Sequence, residues 1–186
     1  MTTRTTKDLV KQGQAARVAA RQIARLSTDV KNRVLSNLAG YLENGQRTVL
    51  AANSEDYAAA KADGLDETLL DRLLLTPERL NAVAADLRKV AQLQDPVGEF
   101  IEMNTLPNGL IVGRRRVPLG VVASIYESRP NVTIDIFGLC FKSGNACILR
   151  GGSETIRSNS ALVDVIYKAL ADAEVTQDIV QFVDSP

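Results

Sequence analysis

Histidine and tryptophan are absent from the 186 residues, cysteine occurs twice, and aromatic residues make up only 4%. Without histidine the chain holds no Ser-His or Cys-His couple and no His-ligated metal. Cys140 and Cys147 are too few and wrongly spaced for a zinc site, so no metal is expected. Both stand in apolar surroundings and read as reduced, buried, small hydrophobes of a cytosolic protein, placing the chain in the cytoplasm. A nucleophilic thiolate needs a polar, partly exposed setting, so neither cysteine is nominated as catalytic. Net charge is lacking too: 22 basic residues balance 22 acidic ones. That balance argues against a general binder of nucleic acid or membrane surfaces. No apolar run approaches the length of a membrane span. The N-terminus has Thr, Arg and Lys but no apolar stretch, so it does not read as a secretory signal.

What is present is 45% hydrophobic content, enough for an ordinary globular domain with a real core. The first 96 residues read as helical. Thr6–Leu26 is rich in Ala, Arg and Gln, with a narrow apolar stripe through Leu9, Ala16, Ala20, Ile23 and Leu26. A second helix is expected from Thr28 towards Ala52, with Val30, Val34, Leu38 and Leu42 on one face and Gly45 as a weak point. Ser54 reads as the N-cap of a short helix through Ala62, stopped by Gly64. A helical turn over Glu67–Leu74 follows. Thr76-Pro77 then marks a start, a capping hydroxyl before a proline at the first helical position. That helix carries Leu80, Val83, Leu87 and Val90 and ends before Asp95-Pro96.

Residues 97–117 read as a hairpin arm, two extended runs around Pro107-Asn108-Gly109. The Arg114-Arg115-Arg116 run lies on it. As β-structure it points alternately to two sides, which suits a solvated edge strand better than one site. Residues 118–186 read as part of a parallel Rossmann-like sheet. Val121–Ile125 and Ala146–Leu149 are short, β-branched runs bounded by Gly or Pro, as fully buried parallel strands are. Asn131–Lys142 is a crossover helix between them. A helix to Ala173 and a strand over Ile179–Val183 complete a βαβαβ series, and the fold class is α/β.

Ligands of open α/β sheets bind at the carboxyl ends of strands, and polar residues collect there in two groups. After the second strand comes Arg150-Gly151-Gly152-Ser153-Glu154. The glycines would let a ligand near the backbone, and the next helix, capped by Ser153, would offer N–H groups and its dipole to a phosphate. Arg150 adds a forked cation, and Glu154 could accept from a ribose hydroxyl. The alternative is a tight turn before a capped helix. After the first strand comes Tyr126-Glu127-Ser128-Arg129-Pro130-Asn131. Arg129 could clamp a carboxylate or phosphoryl group, while Asn131 could cap the helix or donate to an oxyanion. The alternative is a helix start with a solvated charge pair. Lys142 reads as a dipole-compensating residue at a helix end.

The run RRRVPLGVVASIYESRPNVTIDIFGLCFKSGNACILRGGSE closely resembles the core of the γ-glutamyl phosphate reductases, also called glutamate-5-semialdehyde dehydrogenases, of the aldehyde dehydrogenase superfamily. KNRVL at 31–35, ADGLDETLLDRLLLTPERL at 62–80, DPVGE at 95–99 and DIVQFVDSP at the end extend the resemblance over essentially the whole chain. It implies the fold of an aldehyde-dehydrogenase-type cofactor domain. It also implies NADPH-dependent reduction of L-glutamate 5-phosphate to glutamate 5-semialdehyde and phosphate, in proline biosynthesis. In that superfamily a cysteine thiolate attacks the acyl carbon, phosphate leaves, and hydride from the nicotinamide reduces the thioester. By position, Arg150, Gly151, Gly152, Ser153 and Glu154 would line the adenosine end of NADP(H), with Arg150 suited to a 2′-phosphate. Tyr126, Glu127, Arg129 and Asn131 would border the substrate. The hairpin resembles an oligomerisation arm, implying a homo-oligomer, and the substrate implies a functional link to glutamate 5-kinase.

Members of that family are much longer, and their catalytic cysteine lies beyond the equivalent of Pro186. The expectation is therefore an N-terminal segment with much of the cofactor domain, no catalytic residue of its own and an incomplete active site. The competing expectation is a non-catalytic nucleotide-binding or protein-interaction module derived from the same fold. The two strand tips are expected to open onto one hollow.

Overall fold

The computed structural model describes residues 2–184, and side chains from Leu9 onward. Helix α1 covers Thr2–Ile23, α2 Thr28–Asn44, α3 Gln46–Ala62, α4 Glu67–Leu73 and α5 Pro77–Gln92. Each start after the first has a local cause, mostly a side chain that accepts an otherwise orphan N–H. Ser27 accepts from Val30, Asp66 from Thr68 and Leu69, and Thr76 from Arg79.

The single helix expected from Thr28 to Ala52 is in fact two. Gly45 divides them, its N–H closing on the Tyr41 carbonyl at 2.8 Å. A Cβ at this position would stand 2.8 Å from the Tyr41 oxygen, too close to tolerate, so the turn requires glycine. Ser54 is then an interior residue of α3 and caps nothing.

The hairpin pairs β1 (Phe100–Thr105) with β2 (Ile111–Arg115), with a bulge between Ile101 and Met103. Its turn holds Gly109 at φ +83°, the conformation that the Asn-Gly pair foretold. Arg114 pairs with Glu102 and Arg116 with Glu99, while Arg115 lies over the Phe100 ring. The basic run is thus a solvated strand satisfied within its own hairpin.

The parallel sheet has the order β3 (Val121–Ile125), β4 (Ala146–Arg150), β5 (Val180–Phe182). Helix α6 (Asn131–Lys142) connects the first pair and α7 (Ile156–Ala171) the second. Ala146 and Cys147 point to opposite faces of β4 and both are fully buried, so both faces of the central strand are covered. Helix α1 packs along the strands, and α2, α3 and α5 cover α6 and α7. One continuous core results, joining Ala16, Leu35, Leu38 and Leu87 of the helical segment to Phe137, Phe141, Leu149 and Leu162 around the sheet.

Strand β3 departs from the fully buried strand expected. Ile125 is 78% exposed, and among the described residues β3 pairs only with β4. Two lysines are buried. Lys31 is bonded to Asp95 at 2.8 Å, and Lys142 to Asn32 at 2.6 Å and the Ala91 carbonyl at 2.8 Å. Lys142 therefore ties α6 to α2 and α5 rather than answering a helix dipole at the surface.

Candidate functional site

The parallel register sets Ile125 beside Arg150, so the two polar loops leave the sheet side by side. The Tyr126 N–H still bonds the Arg150 carbonyl at 3.0 Å, one residue beyond the strand. Ser128 then donates to Glu154 Oε1 at 2.6 Å, joining the loops a second time. Beneath them runs a directed chain of hydrogen bonds. Thr133 donates to Asn159 Oδ1 at 2.9 Å, Asn159 to Thr155 Oγ1 at 2.9 Å, and Thr155 to the Gly152 carbonyl at 3.0 Å. Since the Thr133 proton is spent on Asn159, the 2.6 Å contact between Tyr126 and Thr133 is a donation from the phenol. Burial pushes the Tyr126 phenol up to about 12, so it remains a donor at any physiological pH.

A third layer anchors this chain to α3. Asp56 accepts from the Ser158 N–H and hydroxyl, both at 2.7 Å, and from Arg157 at 3.2 Å. Asn53 donates to Ser158 Oγ at 3.1 Å and the Leu73 carbonyl at 2.8 Å, and accepts from the Leu75 N–H at 2.7 Å. Asn53, Asp56, Ser158 and Asn159 are all buried. Sequence reading missed all four, since nothing local marks a polar residue on α3 as the partner of one a hundred positions later.

This architecture corrects several expected roles. Ser153 caps no helix: it opens a single 3-10 turn, Ser153–Thr155, before α7. The N-terminal turn of α7 is met by the Asp56 carboxylate, which offsets the positive end that a phosphate would use. The two glycines serve close internal packing. A Cβ on Gly151 would overlap the Asn159 amide, and one on Gly152 would overlap the Glu154 carboxylate. Asn131 does not cap α6; Pro130 stands at that position without a side-chain bond, and Asn131 donates instead to Asp135 at 3.1 Å.

Among the expected substrate-side residues, Glu127 and Arg129 are exposed, whereas Tyr126 and Asn131 are half-buried. Arg129 and Asn131 line an open cleft of about 340 Å³ shared with α4 and α5; residues 150–154 do not line it. Arg150 is exposed, and its guanidinium has no hydrogen bond or ion pair among the described residues. With Ser153 and Glu154 beside it, the carboxyl end of β4 presents a free cation, a hydroxyl and a carboxylate. That donor set fits a phosphorylated ribose. Cys140 and Cys147 are both buried, and the Cys147 thiol is pushed up by its hydrogen bond with Cys140 and by burial, so it stays protonated.

Helices over a parallel sheet with paired polar strand tips place this fold in a known class. It is matched by the structure of a putative aldehyde dehydrogenase from Bacillus subtilis, with TM-score 0.73 and 18% identity over 97% of this chain and 36% of that one. The fold is of the aldehyde dehydrogenase type. Within that class the similarity becomes specific. The crystal structure of γ-glutamyl phosphate reductase from Thermotoga maritima superposes with TM-score 0.92 at 37% identity, covering 95% of this chain and 43% of that one. The γ-glutamyl phosphate reductase of Cronobacter sakazakii is 53% identical over 178 residues, 96% of this chain and 43% of its own length. The resemblance carried by the motifs is therefore borne out at high identity, and the chain spans less than half the length of the relatives it matches. No protein-family model matches the chain. No helix among the described residues is long and apolar enough to cross a membrane.

Proposed function

We propose that this chain is the cofactor-domain part of a γ-glutamyl phosphate reductase. The reaction is NADPH-dependent reduction of L-glutamate 5-phosphate to L-glutamate 5-semialdehyde, with release of phosphate, in cytoplasmic proline biosynthesis. The observation that carries this reading is the double tie between the strand tips, Tyr126 to Arg150 and Ser128 to Glu154, in a chain 53% identical to an enzyme of that name. Arg150 faces the 2′-phosphate, and Ser153 and Glu154 the adjacent ribose. Glu154 comes to that task with one oxygen already held by Ser128, which fixes its carboxylate and lowers the ordering cost of binding. When bound, the nicotinamide supplies the hydride. Gly151 and Gly152 hold the loop in register with the Tyr126 loop, and the buried relay keeps both loops rigid. Arg129 and Asn131 meet the substrate from the neighbouring tip. The hairpin 97–117, exposed along both strands, serves as the arm of a homo-oligomer. Glutamate 5-kinase is the linked enzyme, supplying the acyl phosphate.

The test is thermal protection. A ligand at a hundred times its Kd stabilises by about 2.7 kcal/mol, which raises the Tm of a chain this size by roughly 5–10 °C. NADPH should produce that shift and NADH a smaller one, and Arg150→Ala should abolish the difference. Equal protection by both cofactors in both proteins would refute the assignment of Arg150, and no protection by either would refute the cofactor reading.

A further inference from the structure

The cleft beside Arg129 has a composition that the cofactor loop lacks. Its wall carries three carboxylates, Asp71, Asp86 and Asp135, and three guanidinium groups, Arg72, Arg79 and Arg129. Most of these charges are already committed. Arg79 bonds the Asp71 carboxylate at 2.7 Å and the Leu74 carbonyl at 2.8 Å. Asp86 pairs with Lys89 at 2.8 Å. Three charges remain without an ionic partner among the described residues, Arg72 on α4, Arg129 and Asp135, and of these Arg129 and Asp135 come from the same β3–α6 segment. Asp135 is half-buried on α6 and accepts only the neutral Asn131 amide, at 3.1 Å. Burial and then the charge of Asp86 hold its carboxyl above the usual range. A carboxylate in that position lacks a cation. Among the described residues no three His, Cys, Asp or Glu side chains are grouped as metal ligands. Arg129, six residues before Asp135 in sequence, brings a forked donor without a partner among the described residues to the same cleft.

We propose that this cleft receives the zwitterionic end of the amino-acid substrate, Asp135 taking its α-ammonium and Arg129 its α-carboxylate. The inference rests on the preceding reading for the identity of the substrate, and it assigns to Asp135 a specificity role. A volume of about 340 Å³ is at the small end of ligand sites and suits an amino acid rather than a nucleotide. Discrimination follows from the charges: a dicarboxylate without the ammonium leaves Asp135 unpaired, and an amine without the α-carboxylate leaves Arg129 unpaired.

The whole chain, isotope-labelled, is titrated with L-glutamate, glutarate and 4-aminobutyrate while backbone amide resonances are followed. L-Glutamate should shift residues 129–135 and bind at least about tenfold more tightly than either analogue, the least that one charge-assisted bond contributes. Asp135→Asn should erase the preference over glutarate and leave glutarate binding unchanged. Because Asp135 is half-buried, the exposed Arg129 supplies the second variant: Arg129→Gln should erase the preference for L-glutamate over 4-aminobutyrate. Equal binding of L-glutamate and glutarate to the unaltered chain, shifts confined to other residues, or an undiminished preference in Asp135→Asn would overturn the proposal. NADPH protection of the unaltered chain, measured alongside, separates the two readings: its absence counts against the cofactor domain, whereas the glutamate preference is read without cofactor.

Discussion

Gly151 and Gly152 are adjacent and look equivalent, but their replacement should have very different costs. An alanine Cβ at Gly151 would overlap Nδ2 of Asn159, and Thr155 Oγ1 and Tyr126 Cε2 would each lie 3.2 Å away. Asn159 is fully buried and bonded at both ends of its amide, to Thr133 and Thr155 at 2.9 Å each. It cannot step aside without leaving buried hydroxyls unpaired. Overpacking costs about 1–3 kcal/mol and each buried polar group left unmet about 1–3 kcal/mol, so Gly151→Ala should destabilise by about 3 kcal/mol. At Gly152 the overlapping group is the half-exposed Glu154 carboxylate, which can swing into water. Gly152→Ala should therefore cost only about 1 kcal/mol, the loss of the Ser128 bond. Urea denaturation followed by circular dichroism measures both. The double variant Gly151→Ala with Asn159→Ala should be no less stable than Asn159→Ala alone, since the obstruction has gone. Equal costs at the two glycines, or full additivity with Asn159→Ala, would refute the reasoning.

Two further outcomes are expected. Asn53→Ala removes the partner of the Leu75 N–H, the Leu73 carbonyl and Ser158 at once, and should lower the unfolding free energy by about 3 kcal/mol; a loss below about 1 kcal/mol in the same denaturation assay would contradict it. Tyr126 ionises near 12 in the folded chain against an ordinary 10.0. The neutral phenol's contribution is complete below pH 10 and fades as pH climbs towards 12, by about 1–2 kcal/mol for a half-buried group. Tyr126→Phe should lack that decline, and among the four tyrosines the phenolate absorbance of Tyr126 should be among the last to rise with pH; parallel stability curves for the two proteins above pH 10 would contradict this.

The βαβ stretch was legible because its signals are local. Pro130 and Gly144 bracket a run of helical length, and the helix observed is Asn131–Lys142, as read. Asn108-Gly109 likewise fixed the hairpin turn through a φ that glycine adopts freely. Gly45 was legible as a weak point in the helix but not as a break. Its cause is the approach of a carbonyl four residues back, and the apolar spacing simply continues across it. Nor was the exposure of β3, since burial of a strand depends on what packs over its faces rather than on its own composition alone. Of the candidate site, the meeting of the two loops followed from parallel pairing. The jobs of its residues did not, because Ser128, Asn159 and Asp56 act on partners 26 or more positions away. The burial of Lys31 escaped for the same reason: its partner Asp95 lies 64 residues further on.

The attachment of Ser158 to Asn53 and Asp56 carries a lesson for anyone who would transplant this loop. Residues 150–159 do not form a self-contained module, for their geometry is dictated from a helix that ends long before the sheet begins. Grafted into a related scaffold without that asparagine and aspartate, the same ten residues would bring stranded hydroxyls into a dry interior and settle into another shape. Conversely, replacements on α3 should reshape residues 150–159 from outside the loop itself.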